Sequence, residues 1–198
     1  MNLGRKVEYR VLEKLDEQGR LLRREWQDPV SQAPHRIGGP AVQKFSPETG
    51  MVTGEIWLNR RKGGRHRENN LPAEISIDPT TGVIVIEQYF ERNQLHRDDG
   101  GPAQIYRDGD TGHITLIAYM FEGWMERDSD LPALLEFSHL DGSLRREKYY
   151  RRNQLHRTSG PAVVEYDNTG EPITASLRYY LNGSRVDAFC DPDMPSLD

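Results

Sequence analysis

The chain has 198 residues, 35% of them hydrophobic and 29% charged, with a mean hydropathy of −0.78 and a net charge of −5. Its apolar residues recur in short regular runs, which excludes a disordered chain, and its acidic balance argues against a general nucleic-acid binder, which carries a basic excess. A single cysteine, Cys190, excludes an intrachain disulfide, and no stretch reaches the length of an apolar membrane helix.

From the N-terminus, Met1 to Arg10 carry charges and no apolar core, so no secretory signal is expected and a cytoplasmic setting is. Three markers then repeat in step. Turn glycines fall at Gly19, Gly50, Gly82, Gly112, Gly142 and Gly170. Seven residues after each of the first five stands an aromatic: Trp26, Trp57, Tyr89, Tyr119 and Tyr149. In the sixth the frame slips past Glu171-Pro172 and the aromatic is Tyr179. A linker of the form His-Arg…Pro-Ala follows each of the first five aromatics. It begins at His35, His66, His96 and His156, with Glu126 in the fourth copy, and its prolines are Pro40, Pro72, Pro102, Pro132 and Pro161, spaced by 32, 30, 30 and 29 residues. Periodicity on this scale marks a repeat array.

Each unit of about 30 residues resolves into two strands. In the third, Ala73-Glu74-Ile75-Ser76-Ile77-Asp78 alternates apolar and polar residues, the period of a half-buried strand. Asp78-Pro79-Thr80-Thr81-Gly82 reverses the chain, and a second strand is expected from Val83 to Phe90. A further turn follows at Arg92-Asn93-Gln94, matched by Asn153-Gln154 and Asn182-Gly183. The expected fold is all-β: about six tandem β-hairpin units forming an elongated, twisted antiparallel meander of roughly 11 or 12 strands. Residues 1–187 form this single repeat domain, and residues 188–198 form an acidic C-terminal tail. The central hairpins, Val83–Phe90 and Ile114–Phe121, are apolar on both faces. They predict that Ile84, Ile86, Phe90, Leu116 and Met120 are covered by curling of the sheet, by a terminal segment or by a second copy in a homodimer.

The aromatic, the Asn-Gly-like turn and the His-Arg…Gly-Pro-Ala linker, over about residues 7 to 187, resemble the MORN-repeat class, and most closely its bacterial and phage MORN-like members. The units here are longer than a standard MORN unit, so lipid binding is not carried over. The resemblance implies a hairpin-repeat fold and protein binding, in the manner of an antitoxin, an immunity protein or a phage-encoded inhibitor of a bacterial defence system. It transfers no catalytic residues.

Read for chemistry, the four linker histidines do not make a metal site. Equivalent positions lie about 10 Å apart, two strand spacings, whereas zinc ligands stand about 2.0–2.1 Å from one ion. The imidazole and the arginine after it are expected to tie each hairpin to its neighbour by hydrogen bonds. No nucleophile, phosphate-loop or metal-ligand motif stands out, so a non-enzymatic protein without cofactor or metal is expected. The basic residues Arg60, Arg61, Lys62 and Arg65 fall in one hairpin tip and Arg151 and Arg152 in another. They are either solvated edges that block strand pairing or a stripe that grips phosphate, a nucleic acid or an acidic protein face. Phe90, Tyr150 and Tyr180 are expected on the face opposite the aromatic ladder, as a recognition surface or as core. The leading expectation is a scaffold that binds and inhibits another protein, and the alternative is binding of nucleic acid or a phosphate ligand through the arginine tips.

Overall fold

In the computed structural model, which describes residues 8–59 and 63–187, each main reversal of the chain starts from a short polar side chain. Asp78 accepts hydrogen bonds from the backbone N–H groups of Thr80 at 2.8 Å and Thr81 at 2.9 Å, the local bonding that lets an aspartate open a turn. Gly82 then takes φ +76° and donates its N–H to the Asp78 carbonyl at 2.9 Å, a backbone conformation that side chains disfavour. Asp108 and Gly112 repeat the arrangement, and Ser138 and Gly142 keep its backbone bond. Beside each of these three turns the pairing slips by one residue, at Ser76/Ile77, Tyr106/Arg107 and Glu136/Phe137, and such bulges increase twist.

The first unit contributes β1 (Arg10–Leu15) and β2 (Leu21–Gln27). The second gives β3 (Val42–Phe45), β4 (Val52–Ile56), β5 (Leu58–Asn59) and β6 (Gly64–Arg65). The third gives β7 (Glu74–Ile77), β8 (Ile84–Gln88), β9 (Phe90–Glu91) and β10 (Gln94–Leu95). The fourth gives β11 (Gln104–Arg107), β12 (Ile114–Ala118), β13 (Met120–Phe121) and β14 (Trp124–Met125). The fifth gives β15 (Leu134–Phe137), β16 (Leu144–Lys148), β17 (Tyr150–Arg151) and β18 (Gln154–Leu155). The last holds β19 (Val163–Glu165), a 3-10 turn at Thr174–Ser176, β20 (Tyr179–Leu181) and β21 (Ser184–Val186). An open antiparallel meander of 11 strands runs in the order β1-β2-β3-β4-β7-β8-β11-β12-β15-β16-β19. The fold is therefore all-β and built from hairpin repeats.

One expectation is corrected. The second strand of each unit does not run unbroken through its aromatic. In the third unit β8 stops at Gln88 and the next pairing is local, Phe90 with Leu95 and Glu91 with Gln94. Tyr89 sits at the break because its backbone serves two neighbours. Its N–H donates to the Ala103 carbonyl at 2.8 Å, and its carbonyl accepts from the His96 N–H at 3.1 Å. Five two-stranded hairpins thus form a second row beside the main sheet. The turns of the last four place both central residues at positive φ, as in Arg92 at 50° and Asn93 at 64°, or Glu122 at 47° and Gly123 at 83°, the conformation favoured in two-residue hairpin loops. The row is stitched lengthwise. The N–H groups of Asn93, Gly123, Asn153 and Gly183 donate to the carbonyls of Arg65, Leu95, Met125 and Leu155 of the preceding hairpin, at 3.3, 2.9, 3.1 and 2.9 Å.

Paired residues share a face, so the register assigns the faces of the main sheet. One face carries the row Gly54, Ser76, Ile86, Tyr106, Leu116, Glu136, Arg146 and Glu165. The other carries Glu55, Ile75, Glu87, Ile105, Ile117, Leu135, Glu147 and Val164. Each face is apolar at the centre of the array. Towards the C-terminal end the first becomes an ion-pair network, in which Lys148 and Arg146 flank Glu136, and Arg146 and Arg178 flank Glu165. Of Ile84, Ile86, Phe90, Leu116 and Met120, Ile84 is exposed and the others are half-buried. Ile86 and Leu116 flank Tyr106 across the strands. No helix among the described residues is long and apolar enough to cross a membrane.

Candidate functional site

The linkers pack in a way that their sequence did not announce. Each linker arginine lies over the aromatic of its own unit: Arg36 over Trp26 at 3.9 Å from the ring centre, Arg67 over Trp57 at 3.7 Å, Arg97 over Tyr89 at 4.2 Å, Arg127 over Tyr119 at 3.6 Å and Arg157 over Tyr149 at 3.8 Å. Arg67, Arg127 and Arg157 also donate to the carbonyls of their own Pro72, Pro132 and Pro161. The expected tie between units therefore comes mainly from the imidazole. His66 Nδ1 lies 3.3 Å from the Phe90 carbonyl of the next unit, and His96 Nδ1 and His156 Nδ1 accept from the N–H groups of Glu122 and Asn182. The linker prolines set the chain up for Ala41, Ala73, Ala103, Ala133 and Ala162, all fully buried, and each alanine carbonyl accepts the N–H of the preceding unit's aromatic. Burial pulls the Arg67 guanidinium below its ordinary value. Burial and the nearby Glu147 carboxylate push the Tyr149 phenol up to about 12.

The residues singled out for binding are dispersed. Arg60, Arg61 and Lys62 lie outside the described residues. Arg65 is committed: it lies 2.9 Å from Glu74, over the Phe90 ring at 5.2 Å, and within reach of Asn93 Oδ1. Arg151 and Arg152 are exposed at the tip of the fifth unit. Phe90, Tyr150 and Tyr180 occupy one equivalent position in three short hairpins and are half-buried. Burial and then Glu136 raise the Tyr150 phenol. Among the described residues no group of three His, Cys, Asp or Glu side chains could hold a metal ion.

The surface that stands out was missed. Between the third linker and the fourth short hairpin runs an open groove of about 660 Å³, lined by Tyr119, Met120, Phe121, Trp124 and Leu131 together with charged residues. Phe121 is 55% exposed, Trp124 50% and Leu131 45%. Phe121 and Trp124 pair across the Glu122-Gly123 turn, and His96 meets the Phe121 ring edge-on at 5.2 Å. At the position of Phe121 the other short hairpins carry Asn59, Glu91, Arg151 and Leu181; at that of Trp124 they carry Gly64, Gln94, Gln154 and Ser184. The fold does not require aromatics there.

A second groove of the same plan, about 790 Å³, lies two units earlier and is lined by Ile37, Trp57, Leu58 and Leu71. Leu71 and Leu131 replace the glycine that precedes proline in the other linkers, Gly39, Gly101 and Gly160. A Cβ on Gly39 or Gly101 would come within 3.1 or 3.0 Å of the linker's own guanidinium. The second and fourth units therefore present a leucine where the first and third wrap closely around their arginine. That alternation of Gly and Leu was the signal in the sequence.

Comparison with protein-family models, with curated proteins and with solved structures finds no match to this chain.

Proposed function

We propose that the chain is a non-catalytic repeat scaffold that binds another protein and inhibits it, and that the groove of the fourth unit is its contact surface. The observation that carries this reading is the exposed Phe121–Trp124 pair, half-open to solvent at positions where equivalent hairpins are mainly polar. Aromatic anchors beside a groove are the usual centre of a protein interface. The pairing of β13 with β14 and the Gly123 bond to Leu95 fix the backbone that carries them, and a preformed contact surface loses less entropy on binding. Inhibition of a toxin or of a defence component is what the likeness to MORN-like antitoxin and immunity proteins suggests.

The test is co-purification of the tagged chain from its native host, with Trp124→Ser and Phe121→Ser variants alongside. A protein that elutes in fixed stoichiometry with the wild type and is lost from both variants supports the reading, provided their melting temperatures are unchanged. A stoichiometric partner indifferent to both substitutions moves the contact elsewhere on the array. No stoichiometric protein under several conditions removes the reading, and a ligand captured instead through Arg151 and Arg152, with binding that falls steeply in salt, favours phosphate recognition.

A further inference from the structure

The groove beside Phe121 and Trp124 has a charge pattern as well as an apolar floor. Glu122, Glu126 and Asp128 line it, and none of the three forms an ion pair among the described residues. Its cations are largely engaged elsewhere. Arg97 lies over Tyr89 and beside Asp99, 3.0 Å away, and Arg127 lies over Tyr119 and donates to Pro132. That leaves Arg127, held over its ring, and Arg152, exposed, as the groove's two guanidiniums with no ion pair among the described residues. With Arg97 balanced by Asp99, three open carboxylates against these two guanidiniums leave the rim a net charge of about −1. Glu126 enters that balance only because the fourth linker departs from the repeat, with glutamate at the histidine position.

We propose that this groove takes an extended, basic segment of the partner protein, with one bulky apolar side chain seated against Phe121, Trp124 and Leu131 and lysines or arginines on either side meeting Glu122, Glu126 and Asp128. The proposal rests on the protein-binding reading above and adds the chemistry of the partner. The apolar anchor supplies affinity by leaving water. The flanking charges supply selection and faster encounter, because complementary potentials steer approach and like charges are rejected. A peptide with acidic flanks meets the same carboxylates with repulsion, and an anionic nucleic-acid strand does so along its whole length.

The experiment uses the full chain and a labelled nine-residue peptide with a central tryptophan and two lysines on each side of it. Its controls are the same peptide with glutamates for lysines, the same peptide with serine for tryptophan, and a short single-stranded thymidine oligonucleotide. Fluorescence anisotropy should show the lysine–tryptophan peptide binding at least about tenfold more tightly than either control peptide, a difference of roughly 1.4 kcal/mol. Trp124→Ser should remove about that tenfold preference. Glu126→Gln combined with Asp128→Asn should weaken binding and flatten its salt dependence, because screening acts on the charge term. Leu71→Ser, in the equivalent groove two units away, should leave binding unchanged.

Equal or tighter binding of the glutamate peptide overturns the proposal. If that binding is lost with Trp124→Ser, the groove still binds protein and only the basic partner falls. Peptide binding indifferent to Trp124→Ser, or oligonucleotide binding that depends on Trp124, overturns both the proposal and the reading of this groove as a protein contact.

Discussion

Arg67 sits over Trp57 with its guanidinium carbon 3.7 Å from the ring centre, and its Nη1 donates to the Pro72 carbonyl of the same linker at 3.4 Å. One side chain thus closes a loop between the end of a strand and the linker that leads to the next unit. A part-buried cation over an indole is worth up to about 2 kcal/mol. Arg67→Ala is therefore expected to destabilise the chain by about 2 kcal/mol. Arg67→Lys should recover only part of this, since an ammonium lacks the planar fork. Urea unfolding of the three proteins checks it, and an unaltered midpoint for Arg67→Ala would make the stack ornamental.

The linker alanines make a second, independent prediction. Ala103 is fully buried, its carbonyl accepts the Tyr89 N–H and its own N–H donates to the Ala118 carbonyl. A larger side chain has nowhere to go without moving a ladder that joins two units. Ala103→Leu should cost about 1–3 kcal/mol. Thermal unfolding reads this directly, and a stable Ala103→Leu variant would show that the linker can shift.

Acid stability should follow the turn aspartates. Hydrogen bonds from Thr81 and Thr80 hold Asp78 below the usual carboxylate range, and bonds from Thr111 and from Thr169 do the same for Asp108 and Asp167. A folded value below the unfolded one of about 3.9 gives stability that is present above that pH. It is lost as pH falls through the folded value. Replacing all three by asparagine should leave a chain whose urea midpoint falls less between neutral pH and acid than that of the wild type. Parallel curves would mean that these carboxylates titrate alike in both states.

At the alkaline end the sign reverses. The Tyr149 phenol, raised to about 12 by burial and by Glu147, is neutral in the fold at pH values where an unfolded tyrosine, near 10, is already ionised. Its contribution is complete below about pH 10 and is lost as pH rises towards 12. Tyr149→Phe should therefore lose less stability than the wild type over that interval, with phenolate absorbance of the wild type reporting the late ionisation. Tyr166, also raised to about 12 through burial and Glu147, titrates in the same window, so the Tyr149→Phe curve should flatten in part and not wholly.

Much of the fold is legible in the residues and much of the site is not, for a physical reason. Gly82, Tyr89 and Pro102-Ala103 each answer a backbone requirement, a positive φ, a shared hydrogen bond and a buried small residue, so their period shows directly in the sequence. The short hairpins, such as Phe90–Leu95, are too brief for alternation to register, although Arg92-Asn93 and Asn182-Gly183 mark the turns of two of them. Arg67 read as a hydrogen-bond donor between units because the sequence does not show that the linker folds back over Trp57. Phe121 and Trp124 escaped because they answer no backbone requirement: the repeat frame predicts polar residues there, and the departure is visible only once the short hairpins are aligned with one another.

The array should also come apart from its ends. β1 has all six residues exposed and pairs on one side only, with β2. β8, β11 and β12 pair on both sides and carry Ile86, Ile105 and Ile117 in the apolar centre. In a one-dimensional array each unit is held by its own hairpin and by its nearest neighbours, so an end strand opens for the loss of one interface and a central strand for the loss of two. Native-state hydrogen exchange should show the amides bonded between β1 and β2 opening with much lower free energy than those between β8 and β11. Those between β20 and β21, a hairpin tied to its neighbours by single bonds from Gly183 to Leu155, Asn182 to His156 and Arg157 to Tyr180, should also exchange early. Uniform protection from Val11 to Ile117 would instead mean that the sheet unfolds as one cooperative block, and that the repeats, although separable in sequence, are not separable in energy.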